Sequence, residues 1–176
     1  GVEKDCKRTT KADCDKLKSG NTTSVEFHSG FLCSAEELGT LCAPTDKTTC
    51  VPNKDEVYFL DSCGNVANIY DASKLKDQNY WKDIKGKTEA CNPNSNNANS
   101  KTCGNCNYLG GSLCESYKVG KDKSSPQYGN YICRDLGCDF KGQKYQQGET
   151  WCDITNSNQV GSTYYRYICF NGDVSV

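Results

Sequence analysis

The sequence predicts a small, disulfide-rich and loop-rich fold, of α+β to mainly β class, with short helices near the N-terminus and antiparallel β-hairpins toward the C-terminus. Three observations carry that prediction. Fourteen of the 176 residues are cysteine, about 8%, the density of a covalently cross-linked scaffold. Leu, Ile, Val and Phe together make up only about 16% of the chain. So thin an aliphatic supply offsets little of the entropy lost on folding, and cross-links are expected to stand in for it. Runs rich in β-formers, broken by turn dipeptides, are concentrated after residue 57.

Taken in chain order, Thr10-Lys11-Ala12-Asp13 has the signature of a helix start, with Gly20 as its stop. Ser34-Ala35-Glu36-Glu37 has the spacing of a capping box, and Gly39 would end that helix after one turn. The β-rich runs Val57–Cys63 and Val66–Tyr70 flank Gly64-Asn65, which predicts a hairpin with a primed turn. Asp71 is placed to cap a short helix that carries Tyr80-Trp81. Residues 92–102 are rich in Asn and Ser and read as a junction between an N-terminal part, 1–91, and a β-rich C-terminal part, 103–176. Strands are expected at Tyr128–Cys133, Glu149–Ile154 and Thr163–Phe170. The last of these meets Asn171-Gly172, the strongest two-residue hairpin signal. The strand after it, Asp173–Val176, would be an exposed edge.

The cysteines are Cys6, Cys14, Cys33, Cys42, Cys50, Cys63, Cys91, Cys103, Cys106, Cys114, Cys133, Cys138, Cys152 and Cys169. Their even number allows seven bridges, with the connectivity open. Seven lie in 1–91 and seven in 103–176. Both counts are odd. If all pair within the chain, at least one bridge must therefore cross the junction; the alternative leaves one cysteine in each half to bond another chain. Zinc binding would call for two close ligand couples, and the sequence offers one C-x-x-C, Cys103–Cys106, and one histidine, His28. That C-x-x-C follows an Asn-rich loop and does not open a helix after a buried strand, so it does not read as a redox motif. Disulfides persist in oxidising compartments, which predicts a secreted or cell-surface protein. A start at Gly1 and the lack of methionine fit the expectation of a processed chain. Asn21-Thr22-Thr23 is the one glycosylation sequon, making Asn21 the expected glycan site.

Three stretches are similar to cysteine-rich, predicted extracellular proteins of archaea. They are Tyr58-Phe59-Leu60-Asp61-Ser62-Cys63-Gly64-Asn65-Val66-Ala67-Asn68-Ile69-Tyr70-Asp71, Asn99-Ser100-Lys101-Thr102-Cys103-Gly104-Asn105-Cys106-Asn107-Tyr108-Leu109-Gly110-Gly111-Ser112, and Gly148-Glu149-Thr150-Trp151-Cys152. The resemblance runs from about residue 57 onward. It implies placement at the cell surface or outside the cell, and it transfers no catalytic residue.

Little in the chain points to chemistry. No apolar run approaches the roughly 20 residues that span a bilayer. A net charge of −1 lacks the basic excess of a nucleic-acid binder. His28 stands without a nucleophile motif, and no phosphate-binding glycine loop is present. Asp153–Asn158 places oxygen ligands at alternate positions, a weak calcium pattern whose simpler reading is a polar turn. No cofactor, no metal and no catalytic residue is expected. The remaining signal is aromatic. Tyr80, Trp81, Trp151, Tyr164, Tyr165 and Tyr167, with Val174 and Val176 on the edge strand, are the candidate interface or binding residues. They predict a self-assembling structural subunit of an extracellular filament, coat or stalk, with copies of itself as partner. A binding module that takes glycans on Trp81 or Trp151 is the alternative, and a secreted hydrolase ranks below both.

Overall fold

A computed structural model describes residues 4–20, 24–153, 160–161 and 164–176. The described residues form one α-helix, four short 3-10 turns and ten strands. The class is the α+β to mainly β one expected. Helical content is not confined to the N-terminal end, because the 3-10 turns continue to residue 89.

Helix α1 (Lys11–Gly20) starts where the capping signal placed it. The Thr10 hydroxyl accepts from the Asp13 amide at 3.2 Å and donates to the Asp13 carboxylate at 2.9 Å. The expected capping box at Ser34 does not form. The segment is a single 3-10 turn, Glu36–Leu38, with Ala35 at its N-cap, closed by Gly39 in the left-handed region. The Ser34 hydroxyl instead donates to the Trp81 carbonyl at 2.7 Å, so a long-range contact outcompetes the local cap.

Strands β1 (Pro44–Cys50), β2 (Val57–Asp61) and β3 (Val66–Ile69) form an antiparallel sheet with β2 in the centre. The β2–β3 connection is longer than the expected two-residue primed turn. Asp61 Oδ1 accepts from the Cys63 and Asn65 amides, both at 2.9 Å, and carries the loop around. Beyond β3, Asp71 caps a 3-10 turn at Ala72–Lys74, and Asp77 caps a second at Gln78–Trp81. Two capped turns thus stand where a single short helix capped by Asp71 is expected.

The core lies against the β1–β3 sheet. β2 alternates, burying Val57, Phe59 and Asp61. Phe59 packs edge-on to Tyr70 and against Trp81, with centroids 5.3 and 5.0 Å away. Leu32, Ala67 and Tyr80 complete the group, together with the cystine sulfurs of Cys106, Cys114 and Cys133. Aromatic rings and sulfur therefore supply most of the interior in a chain poor in aliphatics. Each buried ring still contributes roughly 1.5–3 kcal/mol, and its polar end is paired: Trp81 Nε1 donates to the Leu75 carbonyl at 3.1 Å, and the Tyr70 hydroxyl to that of Lys101 at 2.8 Å.

Strands β4 (Ser112–Ser116) and β5 (Tyr131–Asp135) pair antiparallel, as do β6 (Cys138–Phe140) and β7 (Gln143–Tyr145). Strands β8 (Thr150–Asp153), β9 (Tyr165–Phe170) and β10 (Asp173–Ser175) form the last sheet, in the order β10-β9-β8. Asn171 and Gly172 both take positive φ, 53° and 85°, as a primed turn requires.

Six disulfides hold these pieces: Cys6–Cys33, Cys42–Cys63, Cys50–Cys114, Cys91–Cys103, Cys106–Cys133 and Cys138–Cys169. Two of them, Cys50–Cys114 and Cys91–Cys103, join residues before the Asn-rich segment to residues after it. The expectation of seven bridges is corrected to six: Cys14 and Cys152 are unbonded, the first buried and the second exposed. Cys14 is the one buried residue of α1, and the cross-strand neighbour of Cys152 is Arg166, so neither meets a sulfur. Cys103 and Cys106 bond different partners, which leaves their C-x-x-C without a dithiol of its own. Within the junction, Asn92, Asn97 and Asn99 adopt positive φ, a conformation asparagine tolerates better than most residues. The Asn97 amide donates to the carbonyls of Asn92, Ser95 and Asn105, tying the segment into a built loop.

Candidate functional site

The β8–β10 sheet is asymmetric. On β9 the side chains alternate, so Tyr165, Tyr167 and Cys169 share one face while Arg166, Ile168 and Phe170 share the other. Register places Trp151 beside Tyr167, and Cys152 beside Arg166.

The first face is covered by the β6–β7 hairpin. Tyr145 stacks on Trp151 with centroids 3.6 Å apart and planes at 13°. Trp151 stacks in turn near Tyr167 at 5.8 Å and 18°. Phe140 completes the cluster, 5.5 Å from Trp151 and 4.8 Å from Tyr167. The Cys138–Cys169 bridge locks hairpin to sheet beneath these rings. At the rim Lys141 pairs with Asp153, and that hydrogen bond raises the lysine above its ordinary pKa. Lys141 also sits 5.3 Å over the Phe140 ring. Trp151 Nε1 is buried with no hydrogen-bond partner among the described residues.

The second face is uncovered among the described residues. Ile168 and Phe170 are 36% and 51% exposed there, on the same face as Arg166 and its cross-strand neighbour Cys152, whose thiol is exposed. Strands β8 and β10 are the two edges of the sheet. Edge strands carry unpaired N–H and C=O groups that another chain can use.

The candidate aromatics separate accordingly. Trp151 and Tyr167 come together as a half-buried stack, and Tyr165 and Tyr164 are exposed. Val174 lies half-buried on β10 and Val176 is exposed beyond it. Tyr80 and Trp81 are corrected: at 4% and 1% exposure they are core residues, and neither can meet a ligand or a neighbour. The capped turn that carries them folds under the β1–β3 sheet, where Asn68 fixes it by donating to the Tyr80 and Asp83 carbonyls at 2.6 and 2.9 Å. Asn21 lies outside the described residues, as do residues 154–158 of the calcium pattern.

The sequence reading missed Phe140 and Tyr145. Their strands are three residues each, too short for alternation to show. The available signal was Lys141-Gly142 between two aromatic-bearing triplets, since both residues take positive φ in a two-residue turn.

Elsewhere, His28 Nε2 lies 3.3 Å from Glu26 on the surface, with Phe31 edge-on at 6.5 Å. Cys33, Cys42 and Asp61 gather with ligand atoms within 4.8 Å of one another. Both sulfurs are committed to disulfides, and Asp61 accepts two backbone amides, so the group is a structural knot. No described helix is long and apolar enough to cross a membrane. No family model, curated protein or solved structure matches the chain.

Proposed function

We propose that this protein is an extracellular, disulfide-stapled structural subunit that associates with copies of itself through its C-terminal sheet. The observation that carries the reading is the one-sided packing of β8–β10. One face is packed under the aromatic cluster, while the other leaves Ile168 and Phe170 of the central strand exposed, beside Arg166 and, on the edge strand β8, the Cys152 thiol. A sheet face with exposed apolar side chains and unpaired edges is stabilised by a further layer or strand. Six bridges support an oxidising environment and give the durability that a filament, coat or stalk requires. The filament reading and the extracellular address rest on these features together.

The test is the assembly state. Light scattering behind size-exclusion chromatography, and electron microscopy of concentrated protein, should show dimers or polymers. Ile168→Lys with Phe170→Asp should return monomers with all six bridges intact. A wild-type chain that stays monomeric at millimolar concentration overturns the proposal.

A further inference from the structure

A groove of about 410 Å³ lies between the turn before β4, the end of β5 and the β6–β7 hairpin. It is separate from the open sheet face. We propose that this groove binds a neutral oligosaccharide, and the inference stands independently of self-association.

Its shape comes from glycine. A Cβ on Gly110 would sit 2.9 Å from Asn96 Cβ, and one on Gly137 would sit 3.1 Å from both Asp135 Oδ1 and the Tyr145 carbonyl. Side chains are excluded there, which keeps the floor of the groove low. Its volume falls in the range of small-ligand sites.

Its charge is balanced. Lys123 and Lys144 face Asp135 and Asp139 around the rim, so the groove favours neither an anion nor a cation. What it offers is closely spaced donors and acceptors, the complement of a ligand whose every hydroxyl both donates and accepts. Asp135 is already oriented: Oδ1 accepts the Gly137 amide at 2.9 Å, while Oδ2 lies 3.4 Å from Asn99 Nδ2 and 3.5 Å from Lys123 Nζ. Asp139 and Lys144 are register partners on β6 and β7, both exposed on the hairpin surface.

Its wall is rigid. Tyr145 lines the groove, and its ring is fixed on the sheet-facing side of the hairpin by the stack on Trp151. Gln147 is equally fixed: its Nε2 donates to the Tyr108 hydroxyl at 3.3 Å and to Asn171 Oδ1 at 3.2 Å, and its Oε1 accepts the Asn171 amide at 2.7 Å. The site is largely ordered before any ligand arrives, which limits the entropy cost of binding.

The experiment is amide chemical-shift mapping of the whole chain against linear tetrasaccharides of glucose, mannose and N-acetylglucosamine, with an acidic and a zwitterionic tetrapeptide alongside. At least one sugar should shift amides of residues 109–111, 135–139 and 144–147. Losing a hydrogen bond to a charged group costs about 1.5–3 kcal/mol, so Asp139→Ala and, separately, Lys144→Ala should each weaken that sugar at least about tenfold. Both side chains are exposed, so the variants should fold with unchanged bridges, which intact mass and circular dichroism verify. Co-sedimentation with the corresponding insoluble polysaccharide, competed by the free tetrasaccharide, shows whether the groove takes the polymer or only free chains. Shifts with a peptide and no sugar, sugar shifts confined to another surface, or sugar affinity unchanged in both variants overturns the proposal.

Discussion

Arg134 and Asp122 form the most deeply placed ion pair described in this protein. Arg134 Nε and Nη2 donate to the two Asp122 oxygens at 2.8 and 3.0 Å, and Nη2 also donates to the Ser116 carbonyl at 2.8 Å. The side chains are 10% and 1% exposed. Burial pushes the Asp122 carboxyl up, but the Arg134 hydrogen bond and charge outweigh it and hold the group below its ordinary value. A depressed carboxyl contributes stability that is present above its unfolded pKa, near 4, and lost as pH falls through its lower folded value. Asp122→Asn should therefore cost roughly 3 kcal/mol at neutral pH, since it removes the buried two-point partner of the guanidinium and leaves it only the more exposed Glu115, 3.6 Å away. The cost should shrink in acid below about pH 4, read from urea midpoints across pH. A penalty that stays constant down to pH 2 would remove the pair from the account. The two unbonded cysteines give a second check at this scale. A thiol reagent should titrate one thiol per native monomer, Cys152, and two after denaturation, because Cys14 is buried. A count of zero in the denatured chain would mean a seventh bridge.

Among the elements, the staples do not contribute equally. In the loop-entropy picture, deleting Cys50–Cys114, which spans 64 residues, should cost about 4 kcal/mol, against about 3 for Cys91–Cys103, which spans 12. Paired serine variants compared by thermal unfolding test the order. The segment after Cys103 shows how tightly the elements meet. The Gly104 amide donates to the Tyr70 carbonyl, and the Gly104 carbonyl accepts from the Val57 amide, at 2.8 and 2.9 Å. A Cβ on Gly104 would lie 2.7 Å from Val57 Cβ and 2.8 Å from the Val57 carbonyl. Gly104→Ala should thus destabilise by about 1–3 kcal/mol, with backbone shifts in β2 visible by NMR; a neutral variant would show that the contact is loose. Turn chemistry was legible where both dihedrals are set locally, as at Asn171-Gly172. It was not legible at Ser34, whose hydroxyl goes to Trp81 47 residues away.

For the molecule as a whole, the cross-links and the small aromatic core act together. Full reduction should unfold the chain cooperatively, because the β4–β5 and β6–β7 pairs are only two-stranded, and isolated pairs of that kind are marginal in water. Loss of near-UV circular dichroism on reduction at 25 °C is the readout, and a reduced chain that keeps its signal would place the stability in the core instead. The odd cysteine counts on either side of the Asn-rich segment required at least one crossing bridge if every sulfur paired. The structure has two crossing bridges, and leaves one thiol in each half.

Composition and local chemistry sufficed for the cross-linked, mainly β character, the helix start at Thr10, the Asp71 cap and the hairpin at Asn171-Gly172. Each depends on residues within a few positions of one another, or on bulk counts. Which sulfur meets which, the burial of Tyr80 and Trp81, the stack of Tyr145 on Trp151 and the groove beside it were settled only by the tertiary structure. Those features are made by segments far apart in the chain. Short strands such as β6 and β7 hold too few residues to advertise a face, and the face they cover is chosen by the Cys138–Cys169 bridge and the packing around it.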